Sequence, residues 1–386
     1  MNIFEKEKKY ILQTYSRHPL AIKRAQGKYV WDYAGKRYLD FFSGLGVCNI
    51  GHCHRSIVNA IKDQSETLMH TSNLYYTMPQ VKLAEKLSKA SLKGKVFFSN
   101  SGAEANECAI KLARKNGKTN KWKIVTFINS FHGRTLATLA ATGQKKFHRG
   151  FEPLPRGFVF ARFNDLASVN QKMDASVCAV IVEPIQGEGG VHVAEPGFLK
   201  GLKELCMRKK ILLIFDEVQC GLGRTGSLFA YQGYGVKPDI LTLAKSLGGG
   251  LPIGATVTTP SVAKIFSRGD HGSTFGGNPV ACQAGSMVMD LLKPSLLRQV
   301  TAHGDYLIKK LRALTSSSSK VKQIRGKGLM VGIELAVEGA DIVNACRKKG
   351  LLINCTQKTV LRMLPFLDVT RRDIDTALDI LAPYLR

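Results

Sequence analysis

The chain has 386 residues, 44% of them hydrophobic and 22% charged, which is ordinary globular usage. A chain of that length buries a substantial core without staples, which excludes intrinsic disorder and small disulfide scaffolds. The 56 basic residues outnumber the 29 acidic ones for a net charge of +27, so nucleic acid is the first partner to weigh.

Near the start, Glu5 and Glu7 alternate with Lys6, Lys8 and Lys9, and no apolar segment follows. That pattern suits neither a signal nor a transit peptide, and the apolar runs are far shorter than the roughly 20 residues of a membrane helix. A cytoplasmic chain is expected, with no membrane contact. The nine cysteines contain no Cys-x-x-Cys pair and read as small buried hydrophobes. Cys48, His52, Cys53 and His54 cluster too tightly for the usual zinc spacing, so no metal is expected.

From about residue 96, short apolar runs alternate with helical periods. Strands are expected at 95–98, 124–127, 179–182, 211–215, 240–243 and 255–258, and helices at 103–114 and 197–208. This alternation indicates a mostly parallel sheet covered on both faces. The last hundred residues differ, with helices at 278–292 and 297–314, short strands at 331–335 and 351–354, and a final helix from about 370. They suit a smaller α+β companion to the α/β unit. The densest basic stretches, Lys111 to Lys123 and Lys309 to Lys327, are interleaved with apolar residues or a Ser run. No recognition motif accompanies them, which favours a solvated basic surface over nucleic-acid binding.

Three local features carry chemistry. In Asn100-Ser-Gly-Ala-Glu104, Ser101 and Glu104 have capping-box spacing, and Gly102 lets an anion approach the helix start. Asp216 follows the buried run 211–215, at the sheet edge where open α/β sheets bind ligands. Lys245 follows the next strand and precedes Gly248-Gly-Gly250; a desolvated lysine there has a lowered pKa and can form an imine. A phosphate cradle, an acid for a pyridinium nitrogen and a reactive lysine are together what pyridoxal phosphate requires.

The longer motifs sharpen this: Ser99-Asn-Ser-Gly-Ala-Glu-Ala-Asn106, Ser130-Phe-His-Gly-Arg134, Val182-Glu-Pro-Ile-Gln-Gly-Glu-Gly-Gly190, Phe215-Asp-Glu-Val-Gln219, Gly223-Arg-Thr-Gly226 and Gly272-Ser-Thr-Phe-Gly-Gly-Asn-Pro279. With Lys245, they resemble the class III (ω-amino) pyridoxal-phosphate-dependent aminotransferases from about residue 15 to the C-terminus. The resemblance implies the fold-type I architecture, a mostly parallel seven-stranded sheet between helices. A smaller α+β domain is formed by both termini, 1–45 and 277–386, around a large cofactor-binding domain at 46–276.

It also implies roles. Gly102 and Ala103 offer N–H groups to the cofactor phosphate, although the family often has Thr at the Ala103 position. Phe131 and Val218 cover the two ring faces, Asp216 holds the ring nitrogen, and Gln219 reaches the phenolic oxygen. Lys245 binds the cofactor and shuttles a proton. Thr274 reaches the phosphate of a second subunit's cofactor, so a homodimer is expected. On the substrate side, Arg134 and Arg362 pair with carboxylates, Glu188 gates Arg362, and Ser273 contributes to donor binding. The activity implied is transfer of the δ-amino group of N2-acetyl-L-ornithine to 2-oxoglutarate. Leu45 and Arg17 stand where enzymes acting on free ornithine carry tyrosines. Succinylornithine, N-succinyl-diaminopimelate, ornithine and 4-aminobutyrate are the alternative donors.

Overall fold

The structure, a computed structural model, describes residues 2–386. Its central feature is a seven-stranded sheet in the order Val96–Ser99, Gly254–Thr258, Ile240–Leu243, Leu212–Asp216, Val177–Val182, Lys123–Phe127, Phe158–Ala161. Only Gly254–Thr258 runs against the others. Val177–Val182 and Ile240–Leu243 are buried at every residue, as strands covered on both faces must be. Successive residues alternate between two cores: Ala179 and Ile181 pack with Leu112 of helix Gly102–Gly117, Val180 and Val182 with Leu199 and Leu202 of helix Pro196–Lys209.

The expected strands and helices of this region are present, with Asp216 as the last residue of its strand rather than just beyond it. Phe158–Ala161 was not expected. It is an edge strand, only part-buried over its first three residues, so its alternation is weak.

Both termini build further sheets. Ile22–Gln26, Tyr29–Asp32 and Arg37–Asp40 form an antiparallel meander that takes Leu351–Leu352 as a fourth, parallel strand, with Leu351 opposite Leu39. A second four-stranded sheet runs Val321–Lys327, Met330–Leu335, Val360–Met363, Asn354–Thr356, antiparallel throughout. The strand expected at 351–354 therefore breaks at Ile353 and feeds two sheets, a division that local hydrophobicity does not encode. Helices Pro294–Leu314 and Arg371–Leu385 pack together against this part of the core.

The final helix starts where Thr370 caps it. Thr370 Oγ1 accepts from the Asp373 N–H at 3.2 Å, and Asp373 Oδ2 accepts from the Thr370 N–H at 2.8 Å, a reciprocal capping box. Thr370→Ala is expected to cost about 1 kcal/mol, read as a lowered urea midpoint with an unchanged denaturant slope.

Candidate active site

The carboxyl ends of the central strands converge on a cavity of about 480 Å³. Asp216 ends its strand there; Glu183 follows the neighbouring strand Val177–Val182, and Lys245 lies two residues beyond Ile240–Leu243 on the other side. Strand order alone brings the three groups together, because neighbouring strands lie about 4.8 Å apart.

Asp216 is almost completely buried, and a carboxylate in that position must be held by donors. Asn106 Nδ2 donates to its Oδ2 at 2.7 Å and His132 Nδ1 at 2.8 Å, while the Val218 N–H donates to Oδ1 at 3.0 Å. Asn106 is fixed in turn, accepting from Thr242 Oγ1 at 2.7 Å and donating to the His132 carbonyl at 2.8 Å. A carboxylate accepts about four hydrogen bonds, so one site remains free toward the cavity.

Helix Gly102–Gly117 starts at the opposite wall. Ser101 Oγ accepts from the Glu104 N–H at 3.1 Å, and helical bonding begins at Ala105. The N–H groups of Gly102 and Ala103 are left outside the ladder, at the positive end of the helix dipole. The Glu104 carboxylate takes the Asn100 N–H and side-chain amide, each at 2.8 Å, instead of closing the expected capping box on Ser101. A Cβ on Gly102 would lie 2.7 Å from Val218 Cγ1, so glycine is what lets the helix start touch the Asp216-Val218 turn.

Lys245 has φ +45°, a left-handed conformation that costs energy and clusters at functional sites. Burial lowers its pKa below the ordinary lysine value, against the opposing charges of Glu188, Asp216 and Glu183. Burial, together with the charge of Asp216, pushes the Glu183 carboxyl well up; its oxygens accept from the N–H groups of Phe131 and Gly187.

At the far side Arg362, fully buried on strand Val360–Met363, donates through Nη1 to Glu188 Oε1 at 2.6 Å and to Gln219 Oε1 at 3.0 Å. Its Nε donates to Asn354 Oδ1 at 3.1 Å, and its buried Nη2 has no partner. Burial alone would raise the Glu188 carboxyl, but the charges of Arg362 and Lys245 and two hydrogen bonds hold it at about 2. Arg134 is exposed at the mouth, its guanidinium 4.0 Å from the centre of the Phe147 ring and 5.6 Å from that of Phe131.

Gly102, Ala103, Phe131, Arg134, Glu188, Asp216, Val218, Gln219 and Lys245 all line this one cavity, and Arg362 reaches it through Glu188 and Gln219. Ser273 and Thr274 do not line it. Ser273 Oγ accepts from Asn100 Nδ2 at 3.3 Å, at the cavity's edge, and Thr274 is exposed beyond it. Sequence reasoning assigned nothing to Asn106, His132 or Glu183. Each sits inside a motif quoted above, and the signal for Glu183 was an acid following a strand run, as with Asp216.

The family model described as Aminotransferase class-III matches residues 10–385. An acetylornithine aminotransferase from Methanocaldococcus jannaschii is 51% identical, covering 98% of this chain and 97% of its own. One from Aquifex aeolicus is 50% identical over 97% of this chain and all of its own. Among solved structures, the ornithine aminotransferase from Toxoplasma gondii, described with partial occupancy of PLP at its active site, superimposes with a TM-score of 0.95 at 33% identity, over 99% of this chain and 93% of its own. N-acetylornithine aminotransferase from Stenotrophomonas maltophilia K279a gives 0.85 at 35% identity, over 99% and 98%.

The Glu188–Arg362 pair yields a pH prediction. The folded-state pKa of Glu188 is depressed, so its stabilisation is complete above the unfolded value of about 4.3 and is lost as pH falls toward about 2. The stability difference between the wild type and Glu188→Gln should hold constant from pH 7 to 5 and shrink below that. Urea midpoints measured across this range check it; a difference already shrinking between pH 7 and 6 contradicts the assignment.

Proposed function

This chain belongs to the class-III aminotransferases, and within that family we propose that it moves the δ-amino group of N2-acetyl-L-ornithine to 2-oxoglutarate. The products are N-acetyl-L-glutamate 5-semialdehyde and L-glutamate. The observation that carries the reading is one cavity holding a buried amine with a lowered pKa and a buried carboxylate fixed by donors, with a buried guanidinium just behind its wall that keeps one nitrogen unpartnered. The curated relatives about half identical in sequence are named for acetylornithine, while the solved structures of both acetylornithine and ornithine aminotransferases share about a third of their residues with this chain. The fold is common to both groups and does not choose between donors. What favours the acylated amine is Leu45 and Arg17 in place of tyrosines; Arg17 is occupied with Glu7 at 2.5 Å.

The cofactor of this reading is pyridoxal 5′-phosphate, which when bound supplies an aldehyde carbon for amines and a ring that draws electrons from the carbon losing its proton. The residues present fit it. The free N–H groups of Gly102 and Ala103 hold the phosphate at the helix start. Asp216 uses its remaining acceptor site for the ring nitrogen, and Asn106 and His132 keep its carboxylate from turning away. Phe131 and Val218 pack on the ring, and Gln219 reaches the phenolic oxygen. Lys245 Nζ, its ammonium form disfavoured by burial, is the amine that bonds the cofactor and holds the proton leaving the substrate carbon.

Arg134 binds a carboxylate of acetylornithine or 2-oxoglutarate, and Arg362 the α-carboxylate of glutamate, both suited by the planar guanidinium fork. Glu188 covers Arg362 while an ω-amine occupies the site and gives way when glutamate arrives. Ser273 contributes to donor binding, and Thr274 acts across a homodimer, on the phosphate of the other subunit's cofactor. Supporting this, Thr274 lies outside its own chain's cavity, exposed beside Asn73 and Thr77, and its neighbour Phe275 is a large exposed apolar side chain.

The same reading includes a small domain built from both termini. The pairing of Leu351 with Leu39 supports it, while helix Pro279–Leu291 packs on helices Arg55–Thr67 and Met78–Ala90, with Lys86 and Asp290 paired at 2.6 Å, and so favours moving the second boundary from 277 to about 293. It also includes a cytoplasmic location, which the nine free cysteines support; among the described residues no helix is long and apolar enough to cross a membrane.

Lys245→Ala is expected to abolish turnover and the yellow absorbance of the purified protein together; normal turnover in that variant contradicts the assignment. In steady-state kinetics with 2-oxoglutarate as acceptor, kcat/KM should be highest for N-acetylornithine. A preference for ornithine or 4-aminobutyrate would overturn the choice of donor.

A further inference from the structure

We infer that Thr356 and Gln357 are positioning residues that set the reach of Glu188 toward Arg362, and with it the balance between ω-amine and α-amino acid turnover. The inference rests on the proposed reading of Glu188 as the alternating partner of Arg362. Glu188 sits in Gly187-Glu-Gly-Gly190, a loop whose own backbone is too permissive to aim a carboxylate. Its main chain is held from outside. The Glu188 carbonyl accepts from Thr356 Oγ1 at 2.6 Å and from Gln357 Nε2 at 2.9 Å. Gln357 Nε2 also donates to Gln144 Oε1 at 2.7 Å, and Gln144 Nε2 donates to the carbonyls of Asn129 and Ser130 at 3.3 and 3.2 Å.

Both residues stand at the tip of the hairpin formed by Asn354–Thr356 and Val360–Met363, the second strand of which carries Arg362. Asn354 lies opposite Arg362 in register and accepts from its Nε. One hairpin thus grips both members of the ion pair, the arginine directly and the carboxylate through its main chain. At the tip, Gln357 (φ +50°) and Lys358 (φ +64°) adopt angles that glycine or asparagine would take at lower cost. Strain accepted for a glutamine side chain is consistent with that side chain being needed.

Loosening the tether has somewhere to go. A second cavity of about 380 Å³, lined by Glu188, Gln144, Phe147, Thr356 and Gln357, lies along the same loop. The loop is anchored independently at the Gly190 carbonyl, which accepts from Arg325 Nε at 3.0 Å and Nη2 at 2.7 Å, so losing one tether leaves it folded. A Glu188 that reaches Arg362 less often leaves the guanidinium open to an α-carboxylate and less well covered for an ω-amine.

The test uses Thr356→Val, Gln357→Ala and, as the conservative variant, Thr356→Ser. Holoenzyme is followed in each half-reaction separately, with N-acetylornithine and with glutamate as donor. One net hydrogen bond corresponds to a shift of about five- to tenfold, so the ratio of the two kcat/KM values should fall by about that factor in Thr356→Val and Gln357→Ala. Thr356→Ser should stay near the wild type. In cofactor-free protein, hydrogen exchange at residues 187–191 should quicken in Thr356→Val but not in Thr356→Ser. Equal losses in both half-reactions, or an unchanged ratio whatever the exchange does, overturn the inference. A wild type that refuses N-acetylornithine overturns the donor reading instead, and the ratio is then taken with the ω-amine that it accepts.

Discussion

A guanidinium with no exposed surface is the constraint around which the substrate side of this protein is organised. Removing Arg362 from water carries a penalty of several kcal/mol, which only a nearby carboxylate and well-placed acceptors offset. Glu188, Gln219 and Asn354 provide them from three separate parts of the chain. The Nη2 of Arg362 is left without a partner, as is the Nε of the equally buried Arg224. In the proposed reading, that unpartnered nitrogen of Arg362 is where a second carboxylate would be taken. That is what a site must offer if it is to take a substrate bearing an α-carboxylate there and then one without it.

The cofactor side of the cavity solves the opposite problem. Glu183 and Asp216 emerge from adjacent parallel strands, where two ionised carboxylates would repel each other. Asp216 is surrounded by three donors, whereas Glu183 is buried with two backbone N–H groups and is pushed toward its neutral form. In the proposed reading, one acid would hold a cationic ring nitrogen while the charged form of its neighbour is disfavoured. Lys245, two residues past the strand on the other side, experiences the same burial with the opposite sign, which favours the neutral amine.

Much of this was legible in the sequence, for physical reasons. Runs such as 211–215 and 240–243 are buried on both faces, so their hydrophobicity is continuous, and the residues just past them announce the site. The edge strand Phe158–Ala161 and the split at Ile353 were not legible, since partial burial and the choice between two sheets depend on distant partners. Asn106 and His132 were hidden for a related reason. A polar residue in a buried helix turn, like Asn106, or in a buried loop, like His132, has meaning only once the strand end opposite it is known. The Glu104 carboxylate likewise chose Asn100 over the expected box because Asn100 presents two donors to it.

The charge of +27 belongs outside the cavity rather than in it. The walls carry Glu188 and Asp216 against Arg134, with Arg362 just behind, while burial disfavours the charged forms of Glu183 and Lys245, which is near balance. In the proposed reading, specificity for a carboxylate comes from the geometry of Arg362 and the exposed fork of Arg134, and not from the overall field. The surplus lysines and arginines act at longer range, raising the local concentration of anions such as 2-oxoglutarate and N-acylated amino acids around the molecule. Such steering is screened over about 8 Å at physiological salt, so it affects encounter rather than discrimination at the buried site.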